Sequence, residues 1–204
     1  MSIGLKSDSS GTSGSIVING SDKVVITSAG NVTAGTFTGA LTGSLTAGGS
    51  LTSGVAVAST SGTAIDFTSI PSWAKKIIVV VDGVSTTGVS VPIIQLGDAG
   101  GIEISDYVAG ASDYAGYAAQ TAGIPLSRDA RAADLLSGSI LITILSTASN
   151  TWLASGNINA DGASAVMSCA GKKSLSATLD RIRITTVGGS STFDAGNINI
   201  MYEG

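Results

Sequence analysis

The stretch Leu179–Glu203, LDRIRITTVGGSSTFDAGNINIMYE, decides the fold class of this chain. Ile182 and Ile184 in its first half, like Ile198 and Ile200 in its second half, alternate with polar residues. Strict alternation is typical of strands with one buried and one solvated face. The glycine-rich segment 187–190 separates the two runs and predicts a turn. The stretch therefore predicts two β-strands joined in the manner of a hairpin.

Strand patterns recur through residues 55–204. The apolar run at 76–81 predicts a central strand, and Pro92 places the run at 91–96 at a strand start or a sheet edge because proline cannot donate to a ladder. Further runs lie at 64–67, 102–108, 139–145, 151–155 and 165–169. About nine strands separated by turn residues predict an all-β domain over 55–204, a jelly-roll-like β-sandwich.

One segment departs from the strand pattern. Residues 109–138 form the longest irregular stretch, and 128–136 within it is the one helix candidate. Ser127 is its expected N-cap and Gly138 its expected stop signal.

Tyrosines gather at the start of the same stretch. They are Tyr107, Tyr114 and Tyr117. Because tyrosine offers a large amphipathic area at low entropic cost, this cluster predicts a surface-contact site. The alternative is that the three rings cover the end of the sandwich or a subunit interface.

Residues 1–54 differ in composition, since Ser, Thr, Gly and Ala dominate. Such a segment cannot close a conventional core on its own. The β-branched runs 16–18 and 24–26 flank Asn19-Gly20, a strong hairpin signal. We expect this segment to be an N-terminal hairpin followed by an extended, glycine-rich β-stalk.

The stalk carries a loose repeat of one large apolar residue followed by threonine and a small residue. The apolar positions are Val32, Phe37, Leu41, Leu45 and Leu51. A single chain has nothing against which to bury them, whereas three chains wound about a common axis would bury all of them. The repeat therefore predicts trimer-axis residues and an intertwined homotrimer, and the alternative is a flexible linker.

Composition restricts the partners. Only 12% of the 204 residues are charged, the net charge is −4, and no basic patch predicts a nucleic-acid partner. No apolar run reaches the roughly 18 residues of a membrane span, so membrane insertion is not expected. The first residues lack the apolar region of a secretory signal, which favours synthesis in a cytoplasm. Cys169 is the single cysteine, expected to be a small buried residue.

The chain contains few of the residue types that usually perform catalysis. The chain has no histidine, which removes the commonest general base and metal ligand. No phosphate-binding glycine pattern precedes a helix, and no cofactor is expected. Asp98, Glu103 and Asp106 lie close in sequence, and a calcium site is the alternative to a solvated strand and turn there. We therefore expect no enzymatic activity and no metal.

Several segments resemble a known family. Gly30–Gly43 resembles the repetitive stalk of tailed-bacteriophage fibre proteins, and Ile65–Trp73, Asn150–Gly156 and Leu179–Glu203 resemble the C-terminal β-domain of phage virion structural and tail-fibre proteins. The resemblance implies a homotrimer, display on the virion surface and contact with a host receptor. It supplies no catalytic residues.

Two functions follow from that resemblance as expectations. The first is a trimeric tail fibre or its tip, which attaches to a glycan or an outer-membrane protein of the host. The second is a trimeric capsid decoration or cement protein that stabilises the head. Both expect a virion protein made in the host cytoplasm, with residues 1–54 contacting other virion proteins.

Overall fold

The computed structural model describes the strands at 3–7, 13–18, 21–27 and 32–33, and residues 51–132 and 134–204. The chain divides into two compact units, Met1–Thr46 and Ala47–Gly204. The sequence placed the boundary between residues 54 and 55. The difference arises because Ser53 pairs with Met201, which joins residues 52–53 to the second unit.

The described part of the first unit is an antiparallel sheet in chain order. Its strands are β1 (Ile3–Ser7), β2 (Ser13–Ile18), β3 (Ser21–Thr27) and β4 (Val32–Thr33). Ile18 pairs with Ser21, which confirms the hairpin predicted at Asn19-Gly20. Val32 lies in β4, whereas the predicted axis residues Phe37, Leu41 and Leu45 lie outside the described residues.

The second unit is built from antiparallel strands. They are β5 (Thr52–Ser53), β6 (Val57–Ala58), β7 (Ala64–Phe67), β8 (Lys76–Thr86), β9 (Pro92–Asp98), β10 (Gly101–Ile102), β11 (Val108–Asp113), β12 (Gly116–Gln120), β13 (Ile124–Pro125), β14 (Leu136–Ser146), β15 (Thr151–Ala160), β16 (Ala165–Ser174), β17 (Leu179–Thr186) and β18 (Phe193–Glu203). The predicted all-β class is confirmed for the described residues, none of which lies in an α-helix.

Two sheets share these strands. The larger one has the order β12-β11-β16-β15-β14-β8-β18-β5, with β6 also paired to β18. The smaller one has the order β10-β9-β17-β7, with β13 also paired to β9. Apolar side chains at alternate positions of both sheets, such as Ile77, Ile140 and Ile184, belong to one contiguous buried cluster. A single core thus holds both sheets.

The last two strands differ from the expected hairpin. Their alternation is confirmed, because Ile182, Ile184, Ile198 and Ile200 are all buried. However, β17 pairs with β9 and β7, whereas β18 pairs with β8, so the two strands belong to different sheets. Gly188 and Gly189 lie between them with φ of 79° and 63°. This left-handed backbone, which glycine adopts without strain, redirects the chain from one sheet to the other.

The irregular, helix-bearing interpretation of 109–138 is wrong for the described residues. The stretch contains most of β11 together with β12 and β13. In place of the predicted helix, Asp134 closes a turn on Arg131, and Leu136 already pairs with Ala160. Helix propensity is weak, and pairing with distant strands overrides it here.

The strand predicted at 102–108 is also interrupted. β10 ends at Ile102 and β11 begins at Val108, and Asp106 between them has a φ of 61°. A loop therefore replaces the expected continuous ladder and carries Glu103 and Tyr107.

Candidate contact surface

The most exposed aromatic side chain of the second unit lies at the tip of a hairpin. β11 and β12 pair up to Asp113 and Gly116, and Tyr114 between them is 86% exposed. The Asp113 carboxylate accepts a hydrogen bond of 2.8 Å from the Ala115 backbone N–H, which closes the turn. The hairpin thus presents the Tyr114 ring to solvent on an ordered tip.

Tyr117 is the second exposed aromatic residue of this hairpin. It is 68% exposed, and its hydroxyl lies 3.4 Å from the Ala109 carbonyl oxygen. A side chain at position 110 would meet the Tyr117 ring, so Gly110 makes room for the ring to lie against the sheet. Tyr117 therefore has one face on the sheet and one in solvent, which suits an amphipathic contact residue.

An ion pair fixes the base of the hairpin. Asp113 Oδ1 lies 2.7 Å from Arg128 Nε, and Arg128 also contacts Asp129 at 3.0 Å. Burial opposes ionisation of Asp113, but the hydrogen bonds from Arg128 and the Ala115 N–H outweigh it and lower the pKa of Asp113. The hydrogen bond to Asp113, together with the charge of Asp129, raises the pKa of Arg128. The pair ties the hairpin to the segment before β14.

The prediction that Tyr107 belongs to the exposed surface is wrong. Its side chain is 2% exposed, and its hydroxyl accepts a 2.6 Å hydrogen bond from the Leu96 N–H and donates one of 2.9 Å to the Glu103 carbonyl. Burial raises the pKa of Tyr107 far above its ordinary value. The ring is a structural part of the loop between β10 and β11.

A buried lysine completes this loop. Lys173 Nζ lies 2.6 Å from the Glu103 carboxylate, 3.0 Å from the Ser105 carbonyl oxygen and 5.3 Å from the centre of the Tyr107 ring. A cation held over an aromatic face is stabilised by the ring quadrupole. The loop is therefore held to β16 by charge rather than by a strand ladder.

The acidic residues considered for calcium are used by this loop. Glu103 accepts a 2.7 Å hydrogen bond from the Ser176 N–H, and Asp98 accepts one of 2.6 Å from the Ser176 hydroxyl. Asp106 contacts Ser105 instead. Among the residues described, no group of three or more histidine, cysteine or acidic side chains is arranged to hold a metal ion.

A broad face of the larger sheet, part polar and part apolar, was not predicted from the sequence. We define the outer face as the side chains of β18, β8, β14, β15 and β16 that alternate with the core residues. One row across it is Met201, Ile78, Leu141, Ser155 and Ala170. The neighbouring row holds charges, and two of them, Lys76 and Glu203, pair at 2.8 Å. Alternation in the separate strands was visible in the sequence, but the register that aligns these residues was not.

The arginines of the opening stretch also find local partners. Arg183 makes two hydrogen bonds, of 2.7 and 2.8 Å, to the Asp66 carboxylate, and Arg181 pairs with Asp180. The hydrogen bond from Arg183 lowers the pKa of Asp66. The Arg183–Asp66 pair joins β17 to β7 along the smaller sheet, whereas the Arg181–Asp180 pair lies within β17.

The remaining predicted residues occupy different settings. Cys169 is 2% exposed, which confirms that it is buried, and that burial raises its pKa to about 12. Leu51 is half exposed, just before β5. A second exposed aromatic group, Trp73 packed on Tyr202 at 5.6 Å between ring centres, had no signal in the sequence.

Two negative findings complete the description. In the described residues, no helix has the length and apolar character needed to cross a bilayer. No protein-family model, curated protein or solved structure matches the chain.

Proposed function

We propose that this chain is a virion structural protein of a tailed phage, a trimeric tail fibre or fibre tip that attaches to the host. In this proposal the second unit is a β-sandwich display domain, and the first unit with the repeat after it is the attachment stalk. The main support for this proposal is the exposure of Tyr114 and Tyr117 on the paired β11–β12 hairpin. The resemblance to phage fibre proteins supplies its biological setting.

The hairpin has the properties of a recognition tip. Its aromatic rings are exposed, while its backbone is paired along five positions and its base is fixed by the Asp113–Arg128 ion pair. Ordered tyrosines lose little conformational entropy on binding and offer both an apolar face and a hydroxyl. Three copies on a trimer would add avidity against a repetitive cell surface.

The outer face supports an assembly of several copies. Leu141 and Leu153 remain 38% and 41% exposed there, beside small residues such as Ala170. The row of apolar and small side chains across this face suits contact with other protein surfaces. Light scattering of the full chain tests the trimer, because a mass near 20.0 kDa at native concentration would contradict it.

Cell binding tests the attachment role. Labelled full-length protein is added to a panel of bacterial strains that differ in surface glycans and outer-membrane proteins, and bound label is measured by flow cytometry. On the strains that bind, replacing both Tyr114 and Tyr117 by alanine should reduce binding about tenfold, as for interface hot spots. The control is Val89→Ala, which alters a side chain that is 75% exposed elsewhere. Undiminished binding by the double variant would contradict the role of the hairpin.

A capsid decoration protein is the second candidate. The broad outer face favours it, because such a face fits extended contact with other virion subunits. Immuno-electron microscopy of particles containing the chain separates the two. Label on the head at many symmetry-related positions supports decoration, and label at the tail supports the fibre.

A further inference from the structure

The dipeptide Asp-Gly occurs twice in the chain, as Asp82-Gly83 and as Asp161-Gly162. In this dipeptide the backbone nitrogen of the glycine can attack the carboxyl carbon of the aspartate side chain. Glycine favours the attack because it has no Cβ to shield its nitrogen and because its backbone rotates freely. The first dipeptide lies within β8, and the second lies between β15 and β16. The same reactive pair therefore meets two different backbone environments.

The dipeptide in the strand is held on both sides. The Gly83 N–H donates a 2.9 Å hydrogen bond to the Ser137 hydroxyl of β14. On the other side, Asp82 pairs with Asn197 of β18. The backbone of Gly196 lies so close that a side chain there would collide with the Gly83 carbonyl group. Ring closure at Asp82 needs a free Gly83 nitrogen and a rotating backbone, so these contacts oppose it.

The dipeptide in the turn is free at the atoms that react. Asp161 and Gly162 are both exposed in the turn at 161–164. The turn uses other groups for its hydrogen bonds. The Asp161 N–H donates to the Leu135 carbonyl at 3.1 Å, and the Asp161 carbonyl accepts from the Ser164 N–H at 3.0 Å. Within the part of the chain that the structure describes, the Gly162 N–H donates no hydrogen bond, so it can react without the opening of a strand.

We propose that Asp161 is a site of spontaneous isomerisation to isoaspartate, and that the fold protects Asp82 from the same reaction. The Gly162 nitrogen forms a bond to Cγ of the Asp161 carboxyl group, and the proton of the N–H leaves with the carboxyl hydroxyl as water. The product is a five-membered succinimide ring. Addition of water at Cγ breaks the new bond and restores aspartate. Addition of water at the main-chain carbonyl breaks the original peptide bond and leaves isoaspartate, with no change in mass.

The product alters the turn. The peptide link then runs through the Asp161 side chain, which adds one carbon to the main chain and turns the original carbonyl into a free carboxylate. The acceptor of the Ser164 N–H is thereby displaced. The adjoining end of the outer face carries Val166, which is 63% exposed and pairs with Asn159. Isomerisation therefore changes the shape and the charge distribution at the border of the outer face.

Peptide mapping of aged protein tests the proposal. The full-length protein is kept at physiological temperature and neutral pH for several weeks and then digested with trypsin, which releases residues 77–128 and 132–172 as separate peptides. Isoaspartate is detected as a chromatographically distinct form of equal mass that an aspartate-specific endoproteinase no longer cleaves at that position. We expect it to accumulate at Asp161 at least about tenfold faster than at Asp82, because reaction at Asp82 must first break the Gly83 hydrogen bond and open paired strands.

The unfolded chain is the control for the fold. In concentrated guanidinium chloride both dipeptides lose their contacts, so isoaspartate should form at Asp82 and Asp161 at similar rates. Equal rates at the two positions in the folded protein overturn the proposal. An Asp161 that stays unmodified in the folded protein, while the unfolded chain reacts there, overturns it too.

Two variants confirm the chemistry at the turn. Gly162→Ala should slow the reaction several-fold, because the added methyl group shields the nitrogen at a backbone position outside the left-handed region. Asp161→Asn should convert the same attack into a gain in mass, because ammonia leaves in place of water and hydrolysis then adds oxygen. An unchanged rate in Gly162→Ala would show that the Gly162 nitrogen is not the nucleophile and would overturn the assignment. None of these outcomes depends on a trimer or on cell binding.

Discussion

Tyr107 and Tyr114 lie close in sequence but in opposite environments. The Tyr107 ring is 2% exposed and hydrogen-bonded to the backbone, whereas Tyr114 is 86% exposed at a hairpin tip. The two segments around them differ in how their backbones are paired. The hairpin has a complete ladder, whereas the loop at 103–107 has one backbone hydrogen bond at each end, from Glu103 N–H and from Tyr107 N–H, and side-chain contacts between them.

This difference shows why one tyrosine is structural and the other is free for contact. In the loop, the Tyr107 hydroxyl and the Lys173 ammonium satisfy backbone groups that no neighbouring strand reaches. In the hairpin, β11 and β12 satisfy each other's backbone hydrogen bonds, so the exposed aromatic rings are not needed to hold the backbone in place. Substitutions in the loop should therefore affect stability, and substitutions at the tip should affect binding.

Truncation of Tyr107 should have the largest effect. Tyr107→Ala creates a cavity and leaves the Leu96 N–H without its acceptor, so we expect the free energy of unfolding to fall by about 3–5 kcal/mol. Urea denaturation, followed through the unfolding transition of the second unit, measures this loss of free energy. Tyr107→Phe, which keeps the ring, should lose less, about 1–3 kcal/mol. Equal losses for Tyr107→Ala and Tyr114→Ala would break the comparison.

Removal of the buried cation should come next. Lys173→Met leaves the Glu103 carboxylate and the Ser105 carbonyl without their donor, and we expect a loss of about 2–3 kcal/mol. Adding Glu103→Gln should recover part of it, because no unpaired charge then remains. The matched control is Lys172→Met, one position along β16 and exposed, which should change stability by less than about 0.5 kcal/mol.

Acid should weaken the loop that carries Glu103. Burial opposes ionisation of Glu103, but Lys173 and Ser176 outweigh it and lower the pKa of Glu103 below 4.5. The Ser176 hydroxyl and the Gly100 N–H likewise lower the pKa of Asp98. Groups with a lowered folded pKa stabilise the protein above their unfolded pKa, and that contribution is lost as the pH falls through the folded pKa.

The expected outcome is a free energy of unfolding that declines as the pH falls below about 4.5. Denaturant titrations at a series of pH values measure the slope. Glu103→Gln should flatten that slope, because one of the titrating groups is then removed. A slope unchanged in Glu103→Gln would show that the acid sensitivity originates elsewhere.

Substitution at the hairpin tip should have the smallest effect on stability. Tyr114→Ala removes a ring that is 86% exposed, so we expect a change of less than about 0.5 kcal/mol in the free energy of unfolding. Thermal and urea unfolding of this variant should overlay those of the unchanged chain. A large loss would mean that the tip packs on a surface within the assembly, and that it is not a free recognition element.

The local alternation of apolar and polar residues was sufficient to assign most of the strands. Ile182, Ile184, Ile198 and Ile200 were identifiable as core residues because side-chain alternation is a property of one strand. Which strand pairs with which is not local, so the sequence did not reveal that β17 and β18 lie in different sheets. The turn at Asp134 and the strand beginning at Leu136 were missed for the same reason, since distant β8 and β15 fix them.

The candidate sites divide in the same way. Tyr114 and Tyr117 could be proposed as contact residues from the clustering of tyrosines in the sequence. Their exposure does not depend on a residue distant in sequence. The burial of Tyr107 could not be predicted, because it depends on Lys173, far away in sequence.

The crossover at Gly188-Gly189 has a consequence for biosynthesis. β17 lies between β9 and β7, and β18 lies between β8 and the edge strands β5 and β6, so each of the two sheets lacks an interior strand until residues 179–203 have been made. During translation, β8 and β9 therefore expose unpaired edges for most of the time needed to synthesise this unit. Folding must be late and dominated by long-range pairing, which makes it slow. A ribosome-stalled chain that ends before residue 179 should accordingly need protection by chaperones.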